Sequence, residues 1–159
     1  MIFVTVGAQM PFDRLINAVD SWAADHDGTE VFAQIGKAGA RPKHVRWKTF
    51  IDPEEFKLVM QEANVIVAHA GTGSIITALE YGKPILVMPR RADLHETRND
   101  HQIATAERFR EMGSVAVALD ENELYERLDE LESIEPGRAI SASASPELIS
   151  AIRDFVHSI

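Results

Sequence analysis

Six short apolar runs rich in β-branched residues, 2–6, 30–35, 45–50, 65–69, 84–88 and 115–118, recur along the chain. Helical periodicity occupies most of the intervals, at 12–24, 53–62, 74–81, 100–112, 121–131 and 146–158. Such alternation builds βαβ units and a parallel sheet. Each run is nearly continuous in apolar character, as strands covered on both faces must be. The expectation is an α/β domain: a Rossmann-like parallel sheet with helices on both faces. The punctuation agrees. Asp52 before Pro53 and Ser145 before Pro146 supply an N-cap and a proline at the first helical position, and Gly82 and Gly113 stand where C-caps belong. With 159 residues there is room for one such domain and not for two. Small residues at 139–145 read as a linker, so 138–159 is expected to be a linker and a C-terminal helix.

Charge narrows the functional classes. Sixteen Lys and Arg against 25 Asp and Glu leave a formal charge of -9, which disfavours a general grip on nucleic acid or an anionic membrane surface. The acids concentrate in 120–135, best read as a solvated helix face. The stretch 36–48 carries Lys37, Arg41, Lys43, Arg46 and Lys48 with no acid, so a phosphate-bearing small ligand stays admissible. There is no cysteine, hence no thiolate chemistry, and no apolar run long enough to span a membrane. The opening MIFVTV reads as a buried strand rather than a signal peptide.

In open parallel sheets, ligands bind beyond the C-terminal strand ends. One such end, His69-Ala-Gly-Thr-Gly-Ser74, runs directly into a helical pattern. Amides of a first helical turn favour an anion, Gly71 and Gly73 let the backbone come close, and Thr72 and Ser74 add hydroxyls. A diphosphate is the natural guest, with a plain tight turn the competing reading. The dinucleotide fingerprint fails because Ile76 replaces its third glycine, and no Walker lysine follows. A zincin helix fails because Asn99 stands where His95-Glu96 would need a histidine.

Gly7 ends the first strand and can admit a ligand, while Asp13 reads as a helix-start residue. His69 could donate to an anion or a sugar hydroxyl, or be satisfied by backbone, and is the one weak candidate for a catalytic group. The stretch 89–102 gathers Arg90, Arg91, His95, Glu96, Arg98, Asp100, His101 and Gln102, which suits a polyol and, through the arginines, a second anionic group. Asp25-His26-Asp27 has the form of a sugar-transferase metal motif but falls between the first helix and the second strand, away from these ends. No metal site is expected.

Three motifs in order, His69 to Ser74, Ala78-Leu-Glu-Tyr-Gly-Lys-Pro84 and Val87-Met-Pro-Arg-Arg91 with Asn99-Asp-His-Gln102, resemble the C-terminal, donor-binding domain of family 28 glycosyltransferases. The opening Val4-Thr-Val-Gly7 with Phe12-Asp13 is similar to small soluble subunits of two-subunit GlcNAc transferases acting on dolichol diphosphate GlcNAc, and to their bacterial exopolysaccharide counterparts. The resemblance covers essentially the whole chain, 1–159. It implies one half of a GT-B fold and a UDP-sugar as substrate, with no cofactor and no essential metal. Carried over, Gly71, Thr72, Gly73 and Ser74 would hold the diphosphate, His101 and Gln102 would face the donor sugar, and Gly7 would line the cleft. The family often places a ribose-binding glutamate where this chain has Thr77; Glu80 is the nearby acid.

The expected activity is transfer of a hexose, GlcNAc or glucuronic acid with inversion, in polysaccharide or glycan biosynthesis. The carboxylate-bearing sugar rests on Arg90 and Arg91. The expected partners are a membrane-anchored acceptor-binding subunit and a lipid-linked sugar acceptor, with no nucleic acid; homo-oligomerisation is an open alternative for the isolated chain. The chain is then expected to sit on the cytosolic membrane face through that partner. A non-catalytic nucleotide-sugar-binding module is the competing function.

Overall fold

The computed structural model describes residues 1–113, 115–133, 150, 153 and 154. The predicted linker and helix at 138–159 lie, apart from those last three positions, outside the described residues. The chain runs β1 (Ile2–Thr5), α1 (Asp13–Ala24), β2 (Val31–Gln34), β3 (Arg46–Lys48), α2 (Pro53–Glu62), β4 (Val65–His69), α3 (Thr72–Glu80), β5 (Ile85–Met88), α4 (His101–Met112), β6 (Ala116–Val117) and α5 (Glu121–Ser133). All strand pairs are parallel, in the order β3-β2-β1-β4-β5-β6.

Strand side chains alternate between two cores, as a period of two requires. Val4, Val67, Leu86 and Met88 face Leu15, Ile16, Val19 and Trp22 of α1 and Leu124, Leu128 and Leu131 of α5. Phe3, Ile66, Ala68, Ile85 and Val87 face Met60 of α2, Ile75 and Leu79 of α3, and Ala106 and Phe109 of α4. Helices therefore cover both faces, as the continuous apolar runs predict. The acidic helix α5 is more than a solvated face: its leucines recur at spacings of three and four and pack on α1, and Trp22 Nε1 donates to Asp129 at 2.8 Å.

The third run departs from the prediction. Only Arg46–Lys48 pair, and Arg46 and Lys48 are exposed. Among the described residues β3 has a neighbour on one side only, so it carries an edge strand's charges rather than two buried faces. Asp52 caps α2 as expected, accepting from the Glu55 N–H at 2.9 Å with Pro53 first in the helix.

The strand order turns at β1 and β4. From β1 the chain proceeds toward one edge through β2 and β3; from β4 it proceeds toward the other through β5 and β6. The connections after these neighbours leave toward opposite faces, α1 on one and α3 on the other, and a crevice opens between their loops.

Candidate donor-binding site

A cavity of about 690 Å³ occupies that crevice. Its size is that of a pocket for a small organic ligand. Its polar wall is the start of α3. Gly71 is the N-cap residue and contributes no side-chain cap, so the first-turn amides of Thr72, Gly73 and Ser74 lack the partner that a capping side chain would give. The helix begins two residues before the predicted 74, which makes these residues the first turn itself rather than a loop leading into it. Gly71, Thr72, Gly73 and Ser74 all line the cavity, as does Gly7.

His69 closes the inner corner between two glycines. A Cβ at Gly7 would come to 2.6 Å from its Nε2, and a Cβ at Gly71 would overlap its Cε1. Gly7 also has φ +81°, so glycine is required there twice over. The ring's Nδ1 lies 3.2 Å from Gln102 Nε2. Burial, and then the charge of Arg90, lower the His69 pKa to about 4. A group whose pKa is lowered this far is neutral at neutral pH and only weakly basic.

Three predicted site residues fall elsewhere, and a fourth, Arg90, lines the cavity with its guanidinium bonded to backbone. Arg90 is 4 % exposed, and its guanidinium donates to the carbonyls of Val6 at 2.6 Å, Met10 at 2.7 Å and Pro11 at 2.6 Å while lying over the Phe12 ring. The fork expected to hold a second anion is used up tying the β1 loop to the loop after β5. Arg91 points outward and forms a two-bond pair with Asp93 at 3.0 and 2.6 Å, outside the cavity. His101 is exposed at the start of α4 and does not line the cavity, whereas Gln102 does. Glu80 pairs with Arg153 at 2.8 Å and is also not a lining residue; Thr77 is, with its hydroxyl donating to the Gly73 carbonyl at 2.8 Å.

Other lining residues escaped sequence reasoning. Thr5 and Gln34 are buried polar ends of β1 and β2, directly opposite in register, and bonded at 2.7 Å. Gln34 also donates to the Gly7 carbonyl at 3.1 Å, and Thr5 accepts from the Gly7 N–H at 3.2 Å, fixing the glycine's turn. Polar residues ending otherwise apolar runs were the available signal. Phe50, Ile51, Pro53 and Phe56 make an apolar wall, with Phe50 68 % exposed at the mouth. The cations of 36–48 do not line the cavity: Arg46 pairs with Glu30, Lys48 with Glu55, and Arg41 lies over Trp47. Asp13 begins α1 and accepts from the Ala40 N–H at 2.8 Å, a structural use. Among the described residues no group of three or more His, Asp or Glu is placed to hold a metal ion. His26 of the Asp25-His26-Asp27 motif stacks on Trp22, away from the cavity.

Residues 1–155 match the description "Glycosyltransferase family 28 C-terminal domain". This chain belongs to that family. Relatives described as "UDP-N-acetylglucosamine transferase subunit ALG13" include the following two. The one from Eremothecium gossypii is 40% identical over 165 residues, covering 77% of each chain. The one from Mus musculus is 30% identical over 125 residues, covering 70% of this chain and 10% of the relative. This chain thus spans only a tenth of that mouse protein. An NMR structure of ALG13 superposes with a TM-score of 0.62 at 20% identity, over 96% of both chains. Acinetobacter baumannii MurG superposes with a TM-score of 0.62 at 16% identity, over 96% of this chain and 49% of MurG. The fold of this family 28 domain is one half of a GT-B fold. Among its described residues, no helix is long and apolar enough to cross a membrane.

Proposed function

We propose that this chain is the donor-binding, catalytic subunit of a split inverting glycosyltransferase that uses a UDP-sugar and completes its active site with a membrane-anchored, acceptor-binding partner. The observation that carries this is the uncapped start of α3, with Gly71 and Gly73, opening onto a cavity that is polar at one end and apolar at the other. The first-turn amides suit a diphosphate and the Phe50–Phe56 wall suits a flat base. Relatives described as UDP-N-acetylglucosamine transferase subunits favour GlcNAc as the sugar. A glucuronate donor loses its basis, since Arg90 and Arg91 are both committed elsewhere.

The transfer itself is a direct displacement. The bond from the anomeric carbon to the β-phosphate oxygen breaks, a bond to the acceptor hydroxyl oxygen forms, and the hydroxyl proton goes to a base while UDP departs. This chain's part is to bind the donor and to stabilise the charge growing on the leaving diphosphate with the α3 amides and dipole. Among the described residues no Asp or Glu lines the cavity. The base and the lipid-linked acceptor then belong to the partner, which would hold this chain at the cytosolic membrane face. Neither a cofactor nor an essential metal enters this scheme.

Calorimetry with UDP and UDP-GlcNAc on the isolated chain tests donor binding, and release of UDP with a lipid-linked acceptor and the partner subunit tests catalysis. Failure to bind UDP would overturn the proposal. Binding without transfer under any partner would leave a nucleotide-sugar-binding regulatory module.

A further inference from the structure

The side-chain amide of Gln102 makes two contacts whose chemistry is fixed by its neighbours. Its Oε1 lies 3.1 Å from the backbone nitrogen of Arg90, a group that can only donate. The amide is therefore oriented with its oxygen toward Arg90 and its NH₂ toward His69, 3.2 Å from Nδ1. An amide NH₂ can only donate, so Nδ1 must present a lone pair, and in a neutral ring the proton then resides on Nε2. Among the described residues that nitrogen has no hydrogen-bond partner. Among the described residues no buried side-chain nitrogen or oxygen lacks a partner, so Nε2 is open to the cavity. It sits between the backbones of Gly7 and Gly71, beside the first turn of α3.

We propose that Gln102 is a positioning residue that holds His69 in the Nε2–H tautomer, so that a ring N–H rather than a lone pair meets an anionic group in the cradle. This rests on the reading of that cradle as a diphosphate site. The chain of control runs from the Arg90 N–H, two residues beyond β5, through the first turn of α4, to the last residue of β4. It converts a neutral histidine into one more oriented donor beside the α3 amides. The low pKa of His69 keeps the ring neutral at physiological pH, so its tautomer alone decides whether Nε2 attracts or repels an anion. Of the groups around the ring, Gly7 from the β1 loop, Gly71 at α3, Arg90 after β5 and Gln102 on α4, only Arg90 is charged. Its cation opposes protonation of the ring.

The test is the protonation pattern of His69, read by long-range ¹H–¹⁵N correlation on ¹⁵N-histidine-labelled protein, together with calorimetry of UDP. In the wild type the proton is expected on Nε2 and not Nδ1 from pH 6 to pH 8. In Gln102→Glu, one carboxylate oxygen keeps the Arg90 N–H and the other faces Nδ1 with lone pairs only, so the proton moves to Nδ1. UDP affinity at pH 8 should then fall about ten- to a hundredfold, the range for losing a hydrogen bond to a charged group. The deficit relative to wild type should shrink as the pH falls, because the ring held by a carboxylate protonates fully and regains its Nε2–H. Gln102→Met, of similar length but without the amide, should give a mixture of tautomers and a smaller loss. It also serves if the glutamate variant fails to fold.

A wild-type proton on Nδ1, or an unchanged tautomer in both variants, would overturn the proposal. So would a loss confined to UDP-GlcNAc with UDP affinity intact, which would make Gln102 a sugar contact only. If the tautomer switches as described but the wild type binds no UDP, the positioning role stands and the donor-site reading fails.

Discussion

Gly71 and Gly73 stand two residues apart in one motif, yet alanine should act on them in opposite ways. At Gly71 the backbone, φ −86° and ψ 134°, suits any residue. The obstacle is steric: the new methyl would lie 2.5 Å from His69 Nε2 and 2.9 Å from Nδ1. The ring must shift, at an overpacking cost of roughly 2 kcal/mol, and the Gln102 bond is lost with it, about 1 kcal/mol more. At this chain length about 3 kcal/mol corresponds to a Tm lower by about 6–12 °C. At Gly73 a Cβ meets nothing within 4 Å, and the position is helical. Alanine there should stabilise by about 0.5–1 kcal/mol, raising Tm by roughly 1–4 °C, because glycine is the poorer helix former. The open space around Gly73 is the cavity, however, so its methyl stands where a diphosphate would approach the amides. UDP affinity should fall at least about tenfold, the loss of one or more charge-assisted bonds. Thermal scans paired with UDP calorimetry check both substitutions. A Gly73→Ala protein that binds UDP like wild type would refute the close-approach argument, and an unchanged Tm for Gly71→Ala would refute the seating of the ring.

Three further outcomes follow from the same geometry. Arg90→Met strands the carbonyls of Val6, Met10 and Pro11 and should cost about 3 kcal/mol or more, measurable in urea unfolding. His69 has a folded pKa of about 4, below its ordinary value of 6.5, so the unfolded chain binds the extra proton between those pH values and stability falls as pH drops through that window. Relative to His69→Asn, the wild type should lose about 2 kcal/mol between pH 7 and pH 4, discounted for the ring's contact with the cavity; parallel pH profiles would contradict this. Phe50→Ala, at a side chain 68 % exposed, should change stability by less than about 0.5 kcal/mol yet weaken UDP binding several-fold by calorimetry.

Local pattern was enough for the parallel sheet, for helices on both faces, and for the glycine-rich start of α3, because strand burial, helix periodicity and caps are written in neighbouring residues. It was not enough for side chains whose partners lie far along the chain. Arg90 and Arg91 are adjacent and chemically identical, and both read as anion ligands. The fold turns one inward to carbonyls 79–84 residues away and the other outward to Asp93 two residues away. His101 and Gln102 divide in the same way, since only one of two successive helical positions can face the cavity. Gly7 and Gly71 look like separate turn glycines in the sequence; packing makes them two walls around a single imidazole. The amino-acid order alone placed a glycine-rich helix start at the end of β4. Only the tertiary structure decided which neighbours furnish it, because a guanidinium, an imidazole and an amide take their roles from the atoms they meet, and those atoms come from other strands.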